Sequence, residues 1–163
     1  MTTQHVSRET RIRFFGKRKP LHSINKKVLI QSILAKAKSE GKKIKQLNYV
    51  LVSDDELLQI NIEHLQHDYY TDIITFDLSE SEDAIEGEIY VSWERVNENA
   101  KTLNTQDTEL LRVLFHGALH LMGYRDKSTK EEKLMRKKED ECVNLYLETM
   151  KQLDTVSRET HAI

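Results

Sequence analysis

QLNYVLVSDDELLQINIEHL, residues 46–65, sets an extended run directly against an amphipathic helix, and that junction decides the fold class. QLNYVLVS reads as a strand. Asp54 stands where a capping residue is needed, and Leu57, Leu58, Asn61, Ile62 and Leu65 then fall on one side of a helix. Upstream, RIRFFG at 11–16 suits a first strand. Asn25 to Glu40 has helical apolar spacing through Val28, Leu29, Ser32, Ile33 and Lys36, and Gly41 ends it. Downstream, HDYYTD breaks the pattern, DIITFDL resumes extended structure and SESEDA reads as an exposed loop. Ile85 to Trp93 alternates through Ile89 and Val91 as a further strand, with Gly87 expected as a bulge. Three helices are predicted to follow: Glu94 to Leu103, Asp107 to Met122, and one opened by a Ser128/Glu131 capping box and running to about Leu153. Strands interleaved with helices in this order predict an α/β (α+β) fold, a small mixed four-stranded sheet covered by about five helices.

Length and composition agree with one domain over 1–163. A chain of 163 residues with 38% hydrophobic and 32% charged side chains is large enough to bury its own core and reads as globular and soluble. The single cysteine, Cys142, excludes an internal disulfide and reads as a filler thiol in a charged helical pattern, which suits a reducing compartment. MTTQHVSRETRIRF lacks the apolar centre of a signal peptide, and no apolar run approaches a membrane span, so the expected location is the cytoplasm.

Charge is polarised along the chain although the net value is only −2. Residues 1–50 hold 13 Lys and Arg against 2 acidic residues, and residues 51–100 hold 1 against 14. Arg11, Arg13, Lys17, Arg18 and Lys19, then Lys42, Lys43 and Lys45, form clusters suited to a polyanion such as RNA. Pairing of the same residues with the acidic middle, as an ordinary solvated surface, is the plainer alternative. The pentapeptide VSRET occurs at 6–10 and again at 156–160, too short to be a structural repeat.

FHGALHLMGYRD, residues 115–126, carries the chemistry. His116 and His120 are four apart and therefore share a helix face, from which both rings can address one ion. Gly123 fits just past the last turn, Tyr124 and Arg125 make the bend, and Asp126 folds back with a carboxylate. Two imidazoles and one carboxylate leave a coordination position open, the pattern of a catalytic metal and of hydrolysis. Seven histidines give roughly 0.3 such pairs by chance, so spacing alone is weak. The apolar setting of Leu114, Phe115, Ala118, Leu119, Leu121 and Met122 strengthens the metal reading, because buried imidazoles need partners. A hydrogen-bonded core pair and chance exposure are the alternatives.

HGALHLMGYRD resembles the signature of the YbeY family of metal-dependent endoribonucleases, HGxLHLxGYDH. INIEHLQHDYYTDIITF is similar to that family's LNxxYRxxDxxTDVLSF, and EGEIYVSWERVNENA to its GDIxISxxxVxxQA. The three segments run in the family order over roughly residues 60–126. The resemblance implies a cytoplasmic protein with a mixed sheet, one divalent metal, usually zinc, and single-strand-specific RNA cleavage. It further implies a role in ribosomal RNA maturation (16S 3′-end processing) and ribosome quality control, with ribosomal RNA and ribosomal particles as partners and no membrane.

By position, the resemblance assigns His116, His120 and Asp126 as metal ligands. The third is a departure, since the family places histidine there. An aspartate oxygen still ligates zinc at a similar distance, but it lowers the site's net charge and widens the choice of ion to Fe(II), Mn or Ni. The family's arginine in YRxxD falls at Leu65, which has no charge to offer phosphate. A cation from Lys17, Arg18 or Lys19 is expected to replace it. Asp68 and Thr71 are expected to order a turn, Asp72 to cap or bond backbone, and His67 to be an exposed loop histidine. Gly117 stands where HExxH metalloproteases carry glutamate, which argues against that peptidase type. Two rivals stand beside the nuclease: a metallohydrolase of another substrate class, and a ribosome-assembly factor whose metal is structural.

Overall fold

A computed structural model describes residues 11–17, 19–106 and 108–161. Four strands form one sheet in the order β1-β2-β4-β3, with β1 Ile12–Gly16, β2 Lys43–Val52, β3 Ile73–Asp77 and β4 Ala84–Ser92. β2 pairs in parallel with β1 on one side and β4 on the other, while β3 runs antiparallel to β4 at the edge. Five helices surround the sheet: α1 Lys26–Ser39, α2 Asp54–Leu65, α3 Trp93–Leu103, α4 Glu109–Leu121 and α5 Thr129–His161. A 3-10 turn, Lys19–Ser23, precedes α1. The small mixed sheet with five helices is the architecture the element order implied.

Side-chain alternation divides the sheet into two unequal faces. Leu47, Tyr49 and Leu51 of β2 and Ile85, Ile89 and Val91 of β4 point into the main core, together with residues of α1, α4 and α5. On the opposite face Val52 and Ile74 meet Leu57 of α2 in a smaller cluster. α4 has sheet on one side and α5 on the other, so most of its residues are buried. Leu114 and Phe115 are almost wholly so, each contributing about 2 kcal/mol relative to exposure. Cys142 lies in the same core, where burial pushes its thiol up to about 11, as expected of an inert filler.

Gly87 is not a bulge. The β2–β4 register shifts between Ile44 and Gln46 instead. A Cβ at Gly87 would stand 2.7 Å from a methyl of Leu121, so glycine is needed for the close approach of α4 to the sheet. The same holds at Gly117, where a Cβ would meet Ile73 and Ile89 at 2.9 Å. One glycine on the sheet and one on the helix thus mark where α4 presses against β3 and β4.

Caps refine the expected boundaries. Asn25 caps α1 by accepting from Val28 N, and Gly41 follows in the left-handed region at φ 71°. For α2 the cap is Ser53, whose extended backbone lets its hydroxyl accept from Glu56 N at 3.1 Å. Asp54, one residue inside, accepts from Arg95 Nη2 at 2.6 Å and from the Ser92 hydroxyl at 3.1 Å, which ties α2 to α3. Ser128 and Glu131 form the reciprocal capping box at the start of α5. α5 continues past Leu153 to His161 as an exposed helix. The second VSRET lies on that end, and the first lies outside the described residues. Among the described residues no helix is long and apolar enough to cross a membrane.

Candidate metal centre

His116 and His120 project from the same face of α4, their rings edge to face with centroids 4.5 Å apart. Their Nε2 atoms are 2.9 Å from one another. α4 ends at Leu121, Gly123 turns the chain at φ 103°, and Asp126 returns with Oδ2 at 3.3 Å from both Nε2 atoms. These three form the one such cluster of histidine, cysteine and carboxylate ligands among the described residues.

The remaining ring nitrogens determine what the cluster is for. His120 Nδ1 lies 2.9 Å from the Tyr124 carbonyl, which only accepts, so Nδ1 carries the proton. His116 Nδ1 lies 2.8 Å from Glu139 Oε2, a buried carboxylate that also accepts from Arg112 at 3.2 Å. With Nδ1 engaged on the far side of each ring, the two Nε2 atoms face each other and the Asp126 oxygen. Lone pairs at such distances repel unless a cation lies between them. Ligand atoms about 2.0–2.1 Å from a tetrahedral ion sit roughly 3.3 Å apart, close to the spacing found here. The donor set fits a divalent ion, and Asp126, 40% exposed in its side chain, leaves one side open to solvent.

Electrostatics point the same way. Burial opposes charge on His116, but Glu139, Asp126 and Asp72 outweigh it and raise its pKa. The environment is thus built to favour positive charge at this position. Asp72 contributes from the start of β3. Its main-chain carbonyl accepts from Ser92 N at 2.9 Å. Its carboxyl is raised above the ordinary carboxylate range by burial, next to the His116 ring.

The other expected residues fall further out. Leu65 ends α2, 42% exposed, and Gln66 after it is left-handed at φ 57°. Thr71 donates to the Ile73 carbonyl at 3.3 Å, a turn contact. His67 is exposed and stacked on Tyr69. Lys17 and Lys19 line a cleft between the 3-10 turn and α3, and Arg18 lies outside the described residues.

Two residues of the site were not singled out from sequence, Glu139 and Arg112. Glu139 had a legible signal. On α5 the buried positions are Met135, Glu139, Cys142, Val143 and Tyr146, so one acid interrupts an apolar stripe. Arg112 precedes His116 by four residues, on the same face of α4.

A small mixed sheet backed by a helix that presents two histidines, with a carboxylate returning on the next turn, gathers three side chains that could hold a metal ion. The chain belongs to the Endoribonuclease YbeY family, which it matches over residues 12–147. A relative of that name from Cytophaga hutchinsonii is 48% identical over 134 residues, covering 81% of this chain and 94% of its own. Another from Parabacteroides distasonis is 38% identical over 138 residues, covering 84% of this chain and 96% of its own. In structure, the chain resembles a Thermotoga maritima protein solved in solution. The TM-score is 0.63 at 34% identity, with 86% of this chain and 92% of that one covered.

Proposed function

We propose that the protein is a metal-dependent endoribonuclease acting on single-stranded RNA in ribosomal RNA maturation, including the 16S 3′ end, and in ribosome quality control in the cytoplasm. The observation that supports it most is the convergence of His116 Nε2, His120 Nε2 and Asp126 Oδ2 in a chain whose relatives are named endoribonucleases. Those three residues would hold one divalent ion, zinc foremost. When bound, it would supply Lewis-acid polarisation of a phosphate oxygen and activation of a water molecule. Glu139 and the Tyr124 carbonyl hold the two rings in the tautomer that points Nε2 inward. Asp126, on the exposed side, leaves room for the scissile phosphate. Gly117 brings α4 against Ile73 and Ile89, so the site lies on a rigid helix packed on the sheet.

Leu65 supplies no phosphate contact, and Lys17, Arg18 or Lys19 takes that part. Alanine at all three should weaken RNA binding and cleavage, and unchanged binding and cleavage would remove the idea. The substrate class is tested by offering unstructured RNA, duplex RNA and peptides to the wild type and to His120→Ala. The expected result is cleavage of unstructured RNA alone, lost in the variant. Peptide cleavage without RNA cleavage would favour another hydrolase. A folded His120→Ala protein that still supports ribosomal RNA maturation would favour an assembly factor.

A further inference from the structure

The 3-10 turn, the first turns of α3 and the segment entering α4 enclose a cleft of about 800 Å³. That volume lies in the range of small-molecule sites. Trp93, Val96 and Leu110 give it apolar walls, Lys17 and Lys19 add positive charge, and His22 adds an imidazole ring. Among the described residues neither lysine enters an ion pair. Trp93 also brings a buried Nε1–H with no acceptor in the described structure. Glu109, its buried carboxylate held by the Thr105 hydroxyl at 2.9 Å, lines the same cleft and can accept from an amino group.

A flat indole, a carboxylate acceptor and neighbouring cations are the complementary parts of one nucleotide. The base has a π-face with both donors and acceptors, and the phosphate carries the negative charge. A lone inorganic anion would leave Trp93 unused, and an aliphatic ligand would leave the lysines unused. We propose that this cleft is a nucleotide subsite, holding one residue of the single-stranded RNA with its base against Trp93 and its phosphate on Lys17 and Lys19. The inference rests on the RNA-cleavage reading above and adds to it where part of the substrate is gripped. It also gives Lys17 and Lys19 a defined ligand.

Trp93 is the single tryptophan of the chain, so its fluorescence reports on this cleft directly. The full-length protein is titrated with adenosine and guanosine 5′-monophosphates and with inorganic phosphate. Saturable change with the nucleotides, and none with phosphate at equal concentration, is expected. Lys17→Glu/Lys19→Glu should weaken nucleotide binding about tenfold and raise the KM for a single-stranded RNA hexamer by a similar factor. His116→Ala should abolish cleavage while leaving the fluorescence titration intact. That variant separates failure of the subsite from failure of the cleavage reading.

No response to either nucleotide would overturn the proposal. So would an equal response to phosphate alone, which would mark a simple anion site. If the lysine variant binds mononucleotide less tightly but keeps the wild-type KM for RNA, the cleft serves free nucleotides and the RNA assignment fails. The lysine variant keeps Trp93 and is read by the same fluorescence.

Discussion

Glu139 of α5 takes the Nδ1–H of His116 on α4 at 2.8 Å, and its other oxygen takes Arg112 at 3.2 Å. Arg112 also pairs with Asp140 of α5 at 2.9 Å, so the helix pair has a charged joint, its buried part placed where it orients one ring of the triad. Removing the charge while keeping the shape, as in Glu139→Gln, should leave the fold intact but weaken divalent-metal affinity about 10–100-fold. Competition with a metal-binding dye measures this, and unchanged affinity would show that the contact only joins helices. Glu139→Ala is expected to be worse for stability, because it leaves Arg112 without a buried partner.

Close packing of α4 on the sheet gives a second expectation. Gly117→Ala places a methyl 2.9 Å from Ile73 and Ile89 side-chain carbons, and the neighbours must shift to admit it. The cost should be about 1–3 kcal/mol, seen as a Tm lowered by several degrees, with metal affinity also reduced because the histidines move with the helix. A variant as stable as the wild type would mean that the interface is looser than these distances imply.

Asp126 is where the triad departs from its relatives' pattern. Asp126→His should retain zinc, since a third imidazole nitrogen reaches a similar ligand distance. Asp126→Ala should bind it at least tenfold more weakly. Calorimetric titration of both variants separates a ligand from a bystander, and equal affinity of the alanine variant and the wild type would make Asp126 a bystander.

A pH-dependent contribution resides at Glu40. The Tyr124 hydroxyl donates to it at 2.6 Å and Lys36 pairs with it at 3.3 Å. The Tyr124 hydrogen bond first, and Lys36 after it, hold the Glu40 carboxyl below its ordinary value against the opposing effect of burial. A lowered folded-state pKa stabilises above the unfolded carboxylate value of about 4.3 and is lost as pH falls through the folded one. The stability difference between wild type and Glu40→Gln should therefore shrink between pH 7 and pH 3. At 24% side-chain exposure its size should stay below about 1 kcal/mol. Denaturant midpoints at the two pH values decide it, and a constant difference would contradict the pairing.

The numbers of strands and helices were legible because period-two and period-3.6 burial patterns are local; the order β1-β2-β4-β3, which depends on pairing between distant segments, was not. The histidine pair and its returning aspartate were legible for the same reason, since helical spacing and a terminating glycine are local signals. What depended on distant packing was not. Gly87 looked like a bulge because a glycine in a strand leaves no trace of the Leu121 side chain that approaches it from 34 positions later. The α2 cap was misplaced by one residue, since Ser53 and Asp54 are both good caps and only the bond from Arg95 shows Asp54 to be engaged elsewhere. Glu139 was missed although an acid in an apolar stripe marks such a residue, because its partner is on another helix.

The central claim, a single divalent-metal site that performs RNA cleavage, is tested most directly by metal content and cleavage measured on the same samples. Wild type and His116→Ala would be purified without chelator, analysed for bound metal and assayed on single-stranded RNA. The expected result is about one divalent ion per wild-type chain with cleavage, and loss of both in a variant that remains folded by circular dichroism. Normal cleavage by a metal-free variant would contradict the claim outright.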